Sequence, residues 1–207
     1  MNYMDEFLRL KCAVDVLNVV NPIGNKPVKE ISESMAIIKG MKRVVFRVKP
    51  NTYSLFDVGA GNAITSVLAQ HLLPLSCSWA IDKRLRNRNW SKVNQFIYCE
   101  VNFKDFMEEP RISPTPVIMI GVHSCKELSK EIINAFNENL YIKHLFLMPC
   151  CEGSFKSVMP SYMKENLSKA VDWVYYLYDR LEVKDKDIIQ DKKCLSPKNL
   201  IIEAHRE

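Results

Sequence analysis

The chain has 207 residues, of which 47% are hydrophobic and 26% charged, and its formal net charge is +5. This composition excludes an intrinsically disordered protein, because it supplies enough apolar side chains to fill the core of a globular domain. No apolar run approaches the roughly 20 residues that a membrane span needs, and the seven cysteines lack disulfide-framework spacing, so we expect no membrane partner and a reducing, cytoplasmic location.

Two predicted helices begin the chain, and we interpret residues 1–50 as an N-terminal helical extension. Within residues 3–20, apolar side chains recur at helical spacing, and Asn21-Pro22-Ile23-Gly24 is a strong helix stop. A second helix is predicted from Pro27, where proline suits the first turn, and Gly40 is expected to end or interrupt it. Residues 51–207 form the predicted main domain.

A glycine-rich turn follows the first predicted strand. The apolar run that starts at Tyr53 ends in Asp57-Val58-Gly59-Ala60-Gly61, and a helical pattern begins just after it. Glycine at these two positions lets a ligand approach the backbone and permits a positive φ. The next predicted strand ends at Asp82, where carboxylates commonly bind ribose hydroxyls. The two features together predict a nucleoside site, although a strand-turn-helix corner without a ligand is the alternative.

The turn also indicates which nucleoside it binds. The dinucleotide fingerprint requires a third glycine three residues after the second, and Ile64 occupies that position. A nicotinamide or flavin cofactor is therefore disfavoured. The carboxylate of Asp57 suits an ammonium group instead, which S-adenosylmethionine carries and pyrophosphate lacks.

A basic stretch without acidic residues follows Asp82. It contains Lys83, Arg84, Arg86, Arg88 and Lys92. Positive charge interleaved with an aromatic ring, here Trp90, suits phosphates and a stacked base. The alternative is a solvated helix face with Leu85, Trp90 and Val93 packing inward.

From residue 53 onward, apolar runs alternate with helical patterns. This alternation predicts a parallel sheet with helices on both faces. The predicted strands are 53–58, 77–81, 96–101, 116–122 and 143–148, the predicted helices are 62–73, 127–138 and 161–181, and a last strand lies within 198–204. Because ligands gather at the carboxyl ends of parallel strands, the motifs that follow these strands are expected on one rim.

These motifs resemble those of the class I S-adenosylmethionine-dependent methyltransferases, over residues 53–205. The resemblance implies a Rossmann-like α/β fold with a mostly parallel seven-stranded sheet, helices on both faces and an antiparallel edge strand. It also implies S-adenosylmethionine as the cofactor, held by Asp57, Gly59, Ala60, Gly61, Asn62, Asp82, Lys83, Asn102, Phe103 and Gly121. Asn102 stands where the family often has an acidic residue for the adenine amine, and its side-chain oxygen would accept instead.

Two further motifs, Gly121-Val122-His123-Ser124-Cys125 and Pro149-Cys150-Cys151, resemble a narrower branch of these enzymes that includes a tRNA 2'-O-methyltransferase family. The resemblance implies an RNA partner. The expected acceptor-side residues are Cys125, Pro149, Cys150 and Cys151, to which the basic stretch adds Arg84, Arg86 and Arg88.

His123 is the candidate catalytic base, because the unperturbed pKa of histidine lies near neutral pH. A histidine that only packs and hydrogen-bonds is the alternative. His123, Cys125, Cys150 and Cys151 could also hold zinc, but their spacing matches no standard zinc motif, so no metal is expected.

The sequence therefore predicts an S-adenosylmethionine-dependent methyltransferase that acts on RNA, with tRNA as a candidate acceptor. The alternatives are methylation of a protein or a small molecule, a non-catalytic protein that keeps the fold and binds RNA or a partner, and a nucleotide-dependent oxidoreductase.

Overall fold

One twisted sheet organises the computed structural model, which describes residues 1–21, 27–108, 115–160 and 168–206. Its strands are β1 (Ser54–Val58), β2 (Ser78–Asp82), β3 (Phe96–Glu100), β4 (Val117–Val122), β5 (Ile142–Met148), β6 (Asp185–Gln190) and β7 (Leu200–His205). Their order in the sheet is β3-β2-β1-β4-β5-β7-β6. Strands β1 to β5 pair in parallel, and β7 pairs antiparallel with β5 and β6. The predicted Rossmann-like α/β architecture is confirmed.

Helices cover both faces of this sheet. The described helices are α1 (Tyr3–Leu8), α2 (Ala13–Val20), α3 (Pro27–Val45), α4 (Ile64–Leu72), α5 (Phe103–Glu108), α6 (Glu127–Glu138) and α7 (Lys169–Asp179). Helices α1 to α4 pack on one face, and α5 to α7 pack on the other. Among the described residues, no helix is both long enough and apolar enough to cross a membrane.

Side chains of the central strands point alternately to the two faces of the sheet, so the protein has one hydrophobic core on each face. In β1, Leu55 is buried against α1 to α4, whereas Phe56 and Val58 are buried against α5 to α7. Because successive side chains of a strand point to opposite faces, Asp57 lies on the same side as Leu55, the side that α3 and α4 cover. A carboxylate therefore lies near the carboxyl end of a fully buried strand, on the face that α3 and α4 cover.

The strand order reverses between β1 and β4. From β1 the chain runs outward to β2 and β3, and it then returns to place β4 on the other side of β1. The helices that follow β1 and β4 leave the sheet on opposite faces, which opens a crevice at the carboxyl ends of these two strands. The glycine-rich turn after β1 and the histidine motif at the end of β4 both lie at this crevice.

The N-terminal segment differs from its prediction. Residues 3–20 form two helices, because the chain leaves helical structure between Leu8 and Ala13. This break changes the phase of the second helix, so Val14 is exposed while Val16 and Val19 are buried. Asn21 ends α2 in the left-handed conformation, with φ 37°, and residues 22–24 of the predicted stop lie outside the described residues.

Gly40 neither ends nor interrupts its helix, which continues to Val45. A Cβ at this position would lie 2.9 Å from Phe146 Cε1 and 2.9 Å from Glu203 Oε1. Glycine therefore serves the close approach of α3 to the sheet.

The edge of the sheet contains a strand that the sequence did not predict. Strand β6 alternates exposed and half-buried residues and lacks a buried apolar run, which explains why its pattern is weak. Its partner β7 matches the predicted last strand. Of the helix predicted over residues 161–181, residues 161–167 lie outside the described residues, and the remainder contains α7.

Candidate functional site

A cavity of about 220 Å³ lies at the carboxyl ends of β1 and β4. The sequence-predicted residues that line it are Asp57, Gly59, Ala60, Gly61, Asn62, Arg84, Arg86 and His123. Helix α3 adds Glu30, Glu33 and Ser34, helix α4 adds Ile64 and Thr65, and β4 adds Val122. The glycine turn, the basic stretch and the histidine motif thus meet in one place, as expected from the positions of their strands.

Asp57 presents a buried carboxylate to this cavity. The residue is only 2% exposed, and its Oδ2 atom has no hydrogen-bond partner among the described residues. Burial raises the pKa of the Asp57 carboxyl from 3.8 to about 6, an effect to which the charge of Asp82 adds and which Ser66 opposes. A buried and incompletely paired carboxylate attracts a cationic hydrogen-bond donor.

The turn after β1 exposes its backbone to the cavity. Gly59 and Gly61 both have positive φ angles, 72° and 56°, which non-glycine residues rarely adopt. The Gly59 N–H donates to Ile81 O at 2.8 Å, so the turn is fastened to β2. A Cβ at Gly61 would have no atom within 4 Å. Gly61 therefore leaves room for a ligand to lie against the main chain.

Asp82 joins the second strand to the glycine turn. Its Oδ2 accepts the Gly61 N–H at 2.9 Å, and its Oδ1 accepts the Arg84 N–H at 2.9 Å and Arg84 Nε at 3.3 Å. A carboxylate has about four acceptor positions, so these contacts do not exhaust it. Asp82, which the sequence analysis predicts to bind the ribose hydroxyls, thus also stabilises the conformation of the glycine turn.

Tyr98 in β3 supports the same turn, and sequence reasoning missed it. Its hydroxyl donates to Arg84 O at 2.8 Å and to Gly61 O at 3.2 Å. Its ring stacks on Trp90, with centroids 3.7 Å apart and planes 7° from parallel. An aromatic residue in a half-buried strand carries no local signal for this role, because the contact depends on how β3 lies beside β2.

His123 faces a glutamate of the N-terminal helix. Its Nε2 contacts Glu33 Oε2, and Glu33 is fully buried. Glu33 Oε1 lies 3.5 Å from Lys29 Nζ. Sequence reasoning missed Glu33, since the only available signal was an acidic residue among the apolar positions of a predicted helix. The N-terminal segment is therefore part of the site, although the division at residue 50 stays a prediction.

The basic stretch forms an extended segment rather than a helix. Apart from the short 3-10 turn Trp90–Lys92, it has no helical residues. Arg84 and Arg86 line the cavity, and Arg88 Nη2 donates to Asn62 Oδ1 at 2.9 Å. Leu85 is 65% exposed, so the alternative of a helix with Leu85 packed inward does not describe this stretch.

Five predicted cofactor contacts lie outside the lining of this cavity, and Asp82, which accepts the Gly61 N–H, is one of them. Lys83 is exposed, and Gly121 lies buried inside β4. Asn102 is exposed and donates through Nδ2 to Asp105 Oδ2 at 3.4 Å, while Phe103 is buried in the core on the α5 to α7 face. Contacts of these residues with a cofactor stay predictions.

The cysteines of the two downstream motifs converge beside the site. Cys125 Sγ lies 2.7 Å from Cys150 Sγ, which lies 3.5 Å from Cys151 Sγ. The ring of His123 is directed to Glu33 instead, and only its carbonyl oxygen faces Cys125 and Cys150. Pro149, the first residue of the Pro-Cys-Cys motif, is buried at the end of β5.

Comparison with known proteins is consistent with this geometry. A family model described as a methyltransferase domain matches residues 26–158, which run from α3 past the cysteine motifs. The fold is similar to the METTL16 methyltransferase domain, with a TM-score of 0.51, 12% sequence identity, and coverage of 87% of this chain and 68% of that chain. A comparison with curated proteins finds no match.

Two further solved structures are similar at lower TM-scores. Precorrin-6y C5,15-methyltransferase from Geobacter metallireducens has a TM-score of 0.49 and 18% identity, with coverage of 89% of this chain and 94% of that chain. TrmK of M. capricolum, in complex with S-adenosyl-homocysteine, has a TM-score of 0.49 and 12% identity, with coverage of 82% of this chain and 67% of that chain. Both identities are low, so these similarities concern the fold alone.

Proposed function

Because this chain belongs to the methyltransferase domain family, we propose that it is an enzyme that transfers a methyl group from S-adenosylmethionine to RNA. The observation that carries this proposal is the Asp57 carboxylate, which is buried at the cavity wall with one oxygen unpaired among the described residues. The methionine part of the cofactor supplies an ammonium group, and this group satisfies that oxygen. The open backbone at Gly61 accommodates the nucleoside beside it.

Asp82 takes the ribose hydroxyls in this proposal. Gly61 and Arg84 already orient its carboxylate, so the acceptor atoms are held in place before the cofactor arrives. Preorganised groups lose less conformational freedom on binding, which favours affinity.

His123 acts as the base, and Glu33 positions it. The contact of Nε2 with a buried carboxylate favours the tautomer that carries its proton on Nε2. Nδ1 then accepts the proton that the acceptor hydroxyl or amine loses as the methyl group arrives. Methyl transfer from a sulfonium mainly requires alignment, so this proton transfer is expected to contribute about 10²- to 10⁴-fold to the rate.

The charge at the mouth of the cavity supports an RNA acceptor. Arg84 and Arg86 line the cavity, and the side chain of Arg84 is 61% exposed. Guanidinium groups bind phosphate oxygens with several donors at once. The proposed location is the reducing cytoplasm, where cysteines ordinarily persist as thiols.

The acceptor class is tested by incubating the enzyme with S-adenosylmethionine labelled on its methyl group and with total RNA or total protein. We expect label in RNA. Label found only in protein or in small molecules would refute the RNA acceptor while keeping the enzyme. No label in any fraction, with no cofactor bound, would refute the methyltransferase itself.

RNA binding is tested by its dependence on salt. In a plot of the logarithm of the RNA affinity against the logarithm of the salt concentration, Arg86→Ala should reduce the magnitude of the slope by about 0.7. This is the contribution of one phosphate contact with a single strand. Lys11→Ala is the matched control, because Lys11 is an exposed cation in the connection between α1 and α2. An equal slope for both variants would contradict the assignment of the arginines.

The role of His123 is tested by His123→Gln. Turnover should fall by about 10² or more while the dissociation constant of the cofactor stays within a few-fold of its original value. Glu33→Gln should lower turnover less and shift the pH profile, since the positioning hydrogen bond persists without its charge. Unchanged turnover in His123→Gln with intact cofactor binding would make the histidine a structural residue.

A further inference from the structure

Three thiols from two different loops meet at the carboxyl end of β4 and β5. Cys125 lies in the turn after β4, and Cys150 and Cys151 follow β5. The Sγ atoms of Cys125 and Cys150 are 2.7 Å apart, those of Cys150 and Cys151 are 3.5 Å apart, and all three lie within 4.8 Å of one another. Histidine, cysteine, aspartate and glutamate are the side chains that commonly bind metals. Among the described residues, these three cysteines are the group of such side chains that lie close enough together to hold a metal ion.

The backbone of the turn is strained in a way that produces this cluster. His123 and Lys126 both have positive φ angles, 60° and 53°, although neither is glycine. Such conformations persist only where the surrounding structure imposes them, and they concentrate at functional sites. Here the His123 N–H donates to Met148 O at 2.9 Å and the Lys126 N–H donates to Cys151 O at 3.1 Å. These two bonds clamp the turn that carries Cys125 against the Pro-Cys-Cys segment.

The separations of the three sulfur atoms suit a thiolate-bound metal. Zinc bonds of about 2.3 Å in tetrahedral geometry place sulfur atoms about 3.8 Å apart, so small side-chain rotations are enough to reach that arrangement. A disulfide would join two of the sulfurs and leave the third beside it, and it would require an oxidant. A metal uses all three and needs none.

We propose that Cys125, Cys150 and Cys151 bind one zinc ion as thiolates, with the fourth coordination position open to water or to a group of the acceptor. The ring of His123 is not a ligand, because its Nε2 is committed to Glu33. The ion ties the turn after β4 to the loop after β5 and thereby fixes the carbonyl and backbone of His123 next to the cavity. This inference concerns metal binding alone and stands whether or not RNA is the acceptor.

Binding exchanges protons for the metal. One zinc ion replaces the protons of three thiols, and the resulting unit carries a net charge of −1. Each of the three thiols must lose its proton to bind the metal as a thiolate. Protons therefore compete with zinc, and the affinity should fall steeply as the pH is lowered.

The experiment uses the full chain, purified with a phosphine reductant, stripped of metal with a chelator and titrated with zinc alone. We expect one zinc per chain by elemental analysis, and we expect cobalt in its place to give the sulfur-to-metal charge-transfer absorbance of thiolate ligands. Cys125→Ser and Cys151→Ser should each weaken zinc binding by about 100-fold or more. Cys77→Ser is the matched control, because Cys77 precedes β2 at the opposite end of the sheet, and it should bind zinc as the original protein does.

Two results would overturn the proposal. The first is a folded original protein that binds no stoichiometric zinc under reducing conditions, and the second is equal loss of zinc in Cys77→Ser. If the serine variants do not fold, thiol alkylation of the original protein decides instead. Zinc should then protect Cys125, Cys150 and Cys151 and leave the labelling of Cys77 unchanged. A chain two hydrogens lighter with Cys125 linked to Cys150 would establish a disulfide in place of the metal site.

Discussion

Replacing Asp57 by Asn removes a buried charge while it preserves the shape of the side chain. Burial raises the pKa of Asp57 from 3.8 to about 6, so its ionised form opposes folding of the cofactor-free protein. A shift of about two units corresponds to about 3 kcal/mol. Because the folded-state pKa is the higher one, the stability is fully present below pH 3.8 and is lost as the pH rises through about 6. Asp57→Asn should therefore be more stable than the original protein at pH 7.5, by up to about 3 kcal/mol.

The same substitution should weaken cofactor binding. The ammonium of S-adenosylmethionine loses a charged hydrogen-bond acceptor, which is worth about 1.5–3 kcal/mol, or roughly 10- to 150-fold in the dissociation constant. In the original protein, cofactor affinity should fall by up to about tenfold per unit of pH below 6, because protonated Asp57 cannot pair with the ammonium. The variant should not show this dependence.

Urea unfolding at pH 5 and pH 7.5 measures the stability, and titration calorimetry measures the affinity. Asp15→Asn is the control, because Asp15 is an exposed carboxylate on α2 and should change neither quantity by much. The reasoning fails if Asp57→Asn is destabilised at pH 7.5 or binds S-adenosylmethionine as tightly as the original protein. Destabilisation would refute the burial argument, and unchanged affinity would mean that the carboxylate is not the ammonium site of the cavity.

Gly40→Ala should lower the free energy of unfolding by about 1 kcal/mol or more, although alanine favours helices, because its Cβ would lie 2.9 Å from Phe146 and Glu203; denaturation midpoints equal to those of the original protein would contradict this close packing. Trp90→Ala should lower stability by about 1 kcal/mol and weaken cofactor binding several-fold, since Trp90 stacks on Tyr98 and Tyr98 holds the Gly61 turn; calorimetry showing unchanged affinity would separate the two roles. Saturating S-adenosylmethionine at 100 times its dissociation constant should stabilise the fold by about 2.7 kcal/mol, and a thermal shift with NAD instead would favour the oxidoreductase alternative.

Much of the architecture was predictable because its determinants are local. Hydrophobic periodicity located the parallel strands, and the predicted bounds of α6 match those observed, Glu127–Glu138. Gly59 and Gly61 marked the turn because positive φ and close approach of a ligand both require glycine. Ligands bind at the carboxyl ends of parallel strands, and this rule predicted that Asp57 and His123 lie at the same edge of the sheet.

Other features of the fold were not predictable, since they depend on how distant segments pack. The chain leaves helical structure after Leu8, and α2 therefore buries a different set of side chains from those that one continuous helix would bury. The apolar spacing of residues 3–20 does not indicate this break. In the sequence, Gly40 suggests the end of a helix, and only the close approach of α3 to β5 and β7 explains why a glycine lies inside that helix. Strand β6 has little apolar pattern because it lies at the sheet edge, where solvent reaches both of its faces.

By itself, the sequence determined the parallel strands, the glycine turn and the family, because each is encoded in short-range patterns of apolar residues, glycine and acid. Tertiary structure alone decided that Glu33 contacts His123, ninety positions away along the chain, and that three sulfur atoms from two loops come together. Those contacts depend on the direction of side chains across packed elements. Spacing in sequence carries no information about that direction, so the partners of the candidate base and of the cysteines became known only from the fold.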